Sequence, residues 1–582
     1  MATIASRLES AFRAAIAGAF GVDADPLIAL GQNEKFGDYQ ANAAMGLVKL
    51  LAEKTGQKVS PRAIAEQIKG KLELGEMASE VSIAGPGFIN VKLSAGWVTK
   101  LLSQAASDPR LGIEKAAEPL TVVVDYSGPN IAKEMHVGHL RSTILGDCFA
   151  RTLAFLGHHV IRQNHVGDWG LQMGMVTFAL EQEGAAGESL GLSDLERVYK
   201  KISNDSKDPV VRRQMAERTR VLQGTEKSEL VGWRRVRELT LSTAQALYRR
   251  MGVLLNEGDV KGESDYSDQY SSMVEDLLRR GVAKESEGAI GLFPAGFVNR
   301  EGEPRAFIIR SRDGSFQYPT FDLAALMFRV LALQANQIIY THDARQAEHF
   351  AMLFAVAGML GLDRVEGKPV AFVFAPFGAV LGEDGKPLKS RSGENVKLAE
   401  LLDEAETRAL AVVTARSAEI SEKRRDAIAH AVGIGAVKYA DLSKDRLSDY
   451  IFSFDKMLAL DGNTAPYLQY AHARVRSIFR RAVEQGAKAG ELKLESPYEL
   501  ALAKHLLRLA DVVALVAREL KPHHLCTYLY ELSTKFSGFY ENCPVLKSEE
   551  AVRGSRLALC DVTGRTIALG LDLLGIEHPE EM

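Results

Sequence analysis

At 582 residues the chain is too long for one ordinary hydrophobic core, so three or more domains are expected. Its 46% apolar and 25% charged residues are those of a soluble globular protein, and no apolar run approaches the length of a membrane span. With 71 basic against 75 acidic residues the net charge is −4, so any polyanion partner must meet a local patch rather than the bulk charge.

Ile4, Leu8, Phe12 and Ile16 recur every four residues, with the acidic Glu9 among them. That pattern predicts an amphipathic first helix of the mature fold rather than a transit peptide, although Arg7 and Arg13 also lie there. The protein is therefore expected in the cytoplasm. Residues 1 to about 115 read as a separate α+β module ending in a strand pair, Val81 to Val91, around a Gly/Pro turn. The polar stretch from Glu114 to Glu118 reads as a linker.

Next comes the run Thr121-Val-Val-Val-Asp125, a strand, followed by Asn130, Lys133 and His136-Val137-Gly138-His139. Leu140, Ile144 and Cys148 then recur every four residues, which predicts a helix closed by Gly157. A second apolar run, His159-Val160-Ile161, leads into the loop His165-Val166-Gly167-Asp168-Trp169-Gly170. Strand, loop, helix and strand in this order make a parallel α/β unit. A helix N-terminus favours anions through its free amides and dipole, and Gly138 allows close approach of a ligand to the main chain. His136 and His139 are thus expected to donate hydrogen bonds to phosphate oxygens, with ATP as the ligand. A lone His-x-x-His is more often a surface or capping pair; the strand, glycine and helix around this one favour the phosphate reading.

From about 180 to 300 the pattern predicts a charged, mostly helical insertion, and the nucleotide fold is expected to resume near Phe307. Ile338 to Tyr340 and Val370 to Phe374 read as further buried strands, and beyond about 395 the pattern is helical, as in Leu525, Leu529, Leu532, Phe536 and Tyr540. Tyr467 and Tyr470 precede a basic stripe, Arg474, Arg476, Arg480 and Arg481. Such a stripe is commonly a solvated helix face, but the adjoining aromatics suit unstacked bases and a nucleic-acid backbone. Cys148, Cys526, Cys543 and Cys560 lack CxxC spacing, which indicates neither a disulfide framework nor a zinc site.

Asp125 to Lys133, the His-Val-Gly-His, Leu140-Arg141-Ser142-Thr143 and Gly167-Asp168-Trp169-Gly170 together resemble the arginyl-tRNA synthetase signature, and the resemblance runs from Phe36-Gly37-Asp38-Tyr39-Gln40 to Leu571 through Ile576. It implies an α/β fold: a class I Rossmann-like catalytic domain, an N-terminal α+β domain and an all-α C-terminal anticodon-binding domain. The corresponding boundaries are 1–115, 116–395 with the insertion at about 180–300, a helical connecting region 396–454, and 455–582. The activity implied is ligation of L-arginine to tRNA(Arg) through an arginyl-adenylate formed from ATP with Mg2+, and activation is expected to need tRNA. No tightly bound metal and a monomeric state are expected. An intact signature speaks against a non-catalytic tRNA-binding paralogue. The long helical C-terminal region speaks against a stand-alone nucleotidyltransferase.

The resemblance also assigns residues. The mobile second signature of the class falls on Gly385 to Gly393, where Pro387 and Leu388 depart from the usual pattern. One register puts Ser390 against ATP in place of a lysine and makes Lys133 the substitute cation; the other matches Lys386 and Lys389 to the signature lysines. Lys133, His136, His139, Lys389 and Arg391 are accordingly the expected catalytic set, with Gly138 and Ser390 also at ATP. A guanidinium needs carboxylates and amide or phenol oxygens, and the family places them at Asp125, Asn130, Tyr318, Asp322 and Gln346, with His139 near the substrate's backbone end. Asp322 follows Tyr318 by one helical turn, although it would serve equally as the cap of a helix from Phe321. Asn33, Phe36 and Gln40 at one end, and Tyr467, Tyr470, Arg474, Arg476 and Arg480 at the other, are the expected tRNA contacts.

Overall fold

The computed structural model describes residues 3–31, 36–56, 59–182, 191–205, 208–227, 230–389, 396–416 and 420–582. Asn33, Ser390 and Arg391 of the expected site lie outside them.

The first helix runs Ile4–Phe20, with Thr3 as its N-cap, and buries Ile4, Leu8, Phe12 and Ile16, as their spacing predicts. It packs with the Pro61–Lys71 helix beside a four-stranded antiparallel sheet ordered Ile28–Leu30, Tyr39–Ala41, Phe88–Leu93, Ala78–Ala84. This module is tied to the C-terminal helices. Asp38 accepts the Leu93 amide at 2.7 Å and both its oxygens accept from Lys504 Nζ at 2.8 Å. Arg565 donates to the carbonyls of Ala106 and Asp108 at 2.7 and 2.6 Å.

The central sheet is wholly parallel and ordered Ala371–Phe374, Gln337–Tyr340, Thr121–Asp125, His159–Gln163. Its register aligns Phe374, Tyr340, Asp125 and Gln163 at the carboxyl ends, the edge at which open α/β sheets bind ligands. Val122, Val123 and Val124 are fully buried because helices cover both faces.

The insertion holds the helices Leu192–Asp205, Pro209–Gly224, Val231–Arg250 and Ser267–Arg279. The expectation for Phe307 needs correction. Phe307–Arg310 pairs antiparallel with Ala289–Leu292, which pairs with Lys284–Ser286, so this strand belongs to a small separate sheet. The chain rejoins the parallel sheet only at Gln337–Tyr340. A short strand run gives no hint of its partner, and pairing is decided by topology.

The C-terminal region is a helical assembly in which Leu525, Leu529, Leu532 and Phe536 of the His523–Asn542 helix are buried. No described helix is long and apolar enough to cross a membrane. All four cysteines are free and buried.

Candidate active site

The Val137–Phe155 helix leaves the carboxyl edge of the sheet with His136 as its N-cap. His136 Nδ1 accepts the Gly138 amide at 3.0 Å, and His139 Nδ1 accepts the His136 amide at 3.1 Å. Because each Nδ1 receives a backbone N–H, each must be the lone-pair nitrogen of a neutral ring, which leaves the proton on Nε2. Burial, the adjacent His136 and Lys133 push His139 down to about 3, and burial followed by Lys133 also lowers His136. The two ring centroids are 4.1 Å apart. A side chain at residue 138 would come within 2.8 Å of the His136 ring, so the fold-back requires glycine there.

One expectation changes here. The Val137 amide donates to Val396, that of Gly138 to His136 Nδ1 and that of His139 to the His136 carbonyl. The first-turn amides of this terminus are spent internally, including that of Gly138, so the donors available for an anion are the two imidazole Nε2–H groups. Sequence shows that the terminus exists but cannot show what already occupies it.

Between strand and helix the chain makes a constrained loop. Ser127 and Ala132 have φ of 71° and 63°, in the left-handed region that non-glycine residues rarely adopt. The loop is held by Ser142 Oγ accepting the Ser127 amide at 3.0 Å, by Thr240 Oγ1 accepting the Ala132 amide at 3.0 Å, and by Ser127 Oγ with Tyr248 Oη at 2.7 Å. Asn130 is bridged to Gly167, where a Cβ would lie 2.2 Å from Asn130 Oδ1. Gly167 is thus what lets the Gly167-Asp168-Trp169-Gly170 loop press against Asn130. Asp168 is buried and accepts from Arg237 Nε at 2.7 Å and from the amide and hydroxyl of Ser264, each at 2.8 Å. The Trp169 amide donates to Glu263 at 2.9 Å, and burial together with Asp168 raises the Glu263 carboxyl to about 8.

Lys389 is exposed at the end of a tight turn closed by hydrogen bonds from Gly382 to Lys386 and from Leu388 to Val380. Val396, Lys397 and Leu398 lie against the first signature. Leu398 donates to Met135 at 2.8 Å, Val137 to Val396 at 3.0 Å, and Lys397 Nζ lies 2.9 Å from Glu134. Residues 396–398 thus lie beside Glu134 to Val137, and Lys133 is close enough to depress both imidazoles.

The expected arginine pocket is distributed unevenly. Asp125 is 2% exposed and its Oδ2 lies 2.8 Å from the buried guanidinium of Arg329. Burial alone would raise this carboxyl, but Arg329, then His342 and His165, hold it well below the ordinary range. Asp125 therefore has an internal guanidinium partner on Oδ2, while its Oδ1 makes no hydrogen bond among the described residues. Asp322 is different. The helix begins at Tyr318 with Gln317 as N-cap, so Asp322 lies inside it and is not its cap. Its Oδ2 accepts from His349 Nε2 at 2.6 Å, and its Oδ1 is 3.5 Å from His165 Nε2. Burial would raise the carboxyl, yet the His349 bond and the surrounding imidazoles His349, His165 and His342 lower it overall. Tyr318 is 57% exposed, with its ring 4.7 Å from that of His349, and Gln346 is exposed in a short turn ahead of the Ala347–Met359 helix. His165, His342, His349, Arg329 and Glu263 were not anticipated from sequence, since nothing in their local pattern distinguishes them. Asp125 Oδ1, His165 Nε2 and His342 Nε2 are buried polar atoms without a hydrogen-bond partner among the described residues, as expected where a polar ligand sits.

The expected tRNA contacts also divide. Tyr470 is 43% exposed and Phe36 61%, whereas Gln40 donates to Asn90 Oδ1 at 2.8 Å and Tyr467 is half-buried against Tyr530. Arg474 covers the Tyr540 ring at 4.5 Å. Arg476 Nε is 2.6 Å from Glu580 and Arg480 donates to the Glu580 carbonyl at 3.1 Å. The basic stripe is thus partly covered by the acidic end of the chain.

A four-stranded parallel sheet with a His-x-Gly-His helix at its carboxyl edge and a helical C-terminal assembly defines a class I aminoacyl-tRNA synthetase. The chain matches the family descriptions "Arginyl tRNA synthetase N terminal domain" over residues 6–93, "tRNA synthetases class I (R), catalytic domain" over 98–454 and "DALR anticodon binding domain" over 468–582. It is 45% identical over 583 residues to an arginine–tRNA ligase of Laribacter hongkongensis, covering 100% of both chains. Among solved structures it is similar to the arginyl-tRNA synthetase of Plasmodium falciparum, with TM-score 0.85, 30% identity and 100% of each chain covered. A Thermus thermophilus arginyl-tRNA synthetase gives TM-score 0.82 at 26% identity, again over 100% of each chain. The chain belongs to the arginyl-tRNA synthetase family.

Proposed function

We propose that this chain activates L-arginine with ATP to arginyl-adenylate, releasing pyrophosphate, and transfers the arginyl group to a 3′-terminal hydroxyl of tRNA(Arg). The observation that carries the reading is the pair of imidazoles whose Nδ1 atoms accept backbone amides, leaving both Nε2–H groups as fixed donors. Preorganised donors stabilise charge that develops on the α-phosphate as it becomes five-coordinate. Mg2+ enters with ATP as part of the substrate complex.

Lys133, placed three residues before His136, supplies charge toward the pyrophosphate, assisted by Lys389 and Arg391, with Ser390 contributing to the ATP site. Asp322 reads the guanidinium, aided by Tyr318 and Gln346, while Asn130 and His139 hold the amino and carboxylate end. Asp125, whose Oδ2 is paired with Arg329, contributes its remaining oxygen to the same arginine site. Phe36, Asn33 and Gln40 meet tRNA at one end of the molecule, and Tyr467, Tyr470, Arg474, Arg476 and Arg480 meet it at the other. The corresponding units are 1–115, 116–395 with its insertion, 396–454 and 455–582, and the enzyme acts as a cytoplasmic monomer whose activation step needs bound tRNA.

Arginine-dependent exchange of pyrophosphate into ATP, measured with and without tRNA, tests this reading. Exchange that requires arginine and rises strongly with tRNA is expected. Exchange without arginine would indicate a nucleotidyltransferase, and tRNA binding with no exchange a non-catalytic paralogue.

A further inference from the structure

Among the described residues Asp322 is paired with imidazoles and, unlike Asp125, with no guanidinium, so what fixes its orientation matters. The terminal torsion of a carboxylate is broad and does not hold itself. Here Asp322 Oδ2 accepts from His349 Nε2 at 2.6 Å, a short bond in which the acceptor is ionised. His349 is itself held by three rings: Phe307 stacked at 5.7 Å and 18°, Tyr318 at 4.7 Å, and Phe350 edge-on at 5.3 Å. Phe307 comes from the small antiparallel sheet, Tyr318 from the helix that carries Asp322, and Phe350 from the Ala347–Met359 helix. His349 is thus braced on rigid elements while its Nε2 is aimed at a carboxylate.

We infer that His349 is a positioning residue for arginine recognition: it fixes the rotation of the Asp322 carboxylate so that the remaining lone pairs meet the guanidinium. This rests on the proposed assignment of Asp322 to the arginine pocket. The other charged or titratable groups facing Asp322 are His165 at 3.5 Å and, further off, His342 and Glu263, while Asp125 is neutralised by Arg329.

The test uses the full-length enzyme with saturating tRNA. His349→Phe keeps a ring among the same aromatic neighbours and removes the donor; His349→Gln keeps a donor. His349→Phe is expected to raise the arginine KM roughly tenfold, the loss of one hydrogen bond to a charged group, with the ATP KM and kcat within about twofold. His349→Gln should restore most of the arginine KM. An unchanged arginine KM in His349→Phe, a parallel loss for ATP, or no recovery of the arginine KM in His349→Gln would each overturn the inference. Asp322→Asn separates the two levels. A raised arginine KM there with none in His349→Phe removes only the positioning role, while no change in either variant removes the pocket assignment itself.

Discussion

The amide of His136 donates to Nδ1 of His139 across 3.1 Å, and that bond sets which ring nitrogen of His139 carries its proton. His139→Ala and His136→Ala should each lower adenylate formation by roughly 10²-fold, the usual cost of removing a preorganised transition-state donor. Affinity for tRNA should stay nearly constant. Single-turnover activation assays check the first outcome and filter binding the second; near wild-type activation in both variants would remove the phosphate role.

Lys133 lowers both imidazoles, whereas Lys389 stands exposed at the end of its turn. Lys133→Ala is therefore expected to slow activation more than Lys389→Ala does, by at least about tenfold, on the scale of one charged contact to a phosphoryl group. Pyrophosphate exchange at saturating ATP measures both. Equal or reversed losses would return the main charge to the loop.

Glu263 has a folded-state value of about 8 against an ordinary 4.5, because it is buried beside Asp168. As pH rises from 4.5 towards 8 the unfolded chain has released this proton while the folded chain still holds it, so stability falls across that window. Glu263→Gln keeps an acceptor for the Trp169 amide and has no proton to lose. Its thermal midpoint should fall less than that of the wild type between pH 6 and pH 8, as followed by circular dichroism. A parallel fall in both proteins would show that Glu263 is already ionised in the fold.

Arg476 and Arg480 face Glu580 and Glu581 at the end of the chain. If they meet phosphates, Arg476→Glu with Arg480→Glu should weaken tRNA binding and reduce the salt slope by up to about two. Activation at limiting tRNA should then recover as tRNA is raised. Glu580→Gln with Glu581→Gln should act in the opposite direction by freeing the same guanidinium groups. An unchanged salt slope in the arginine variant would make the stripe a solvated face.

Local patterns in the sequence carried much of the fold. The four-residue spacing of Ile4 to Ile16 and of Leu140 to Cys148 corresponds to the helices Ile4–Phe20 and Val137–Phe155, since a helical period and burial of one face are properties of contiguous residues. The corner between strand and helix that carries His136 and His139 was legible for the same reason, and so was the family. Tertiary structure alone decided how the site's charges are shared. The spent amides at the helix start depend on Val396, the occupation of Asp125 on Arg329, the orientation of Asp322 on His349, and the cover on Arg476 on Glu580. Each partner lies far away along the chain. A buried or converging charge must be balanced by whatever group the topology brings beside it, and no short-range pattern records which group that is.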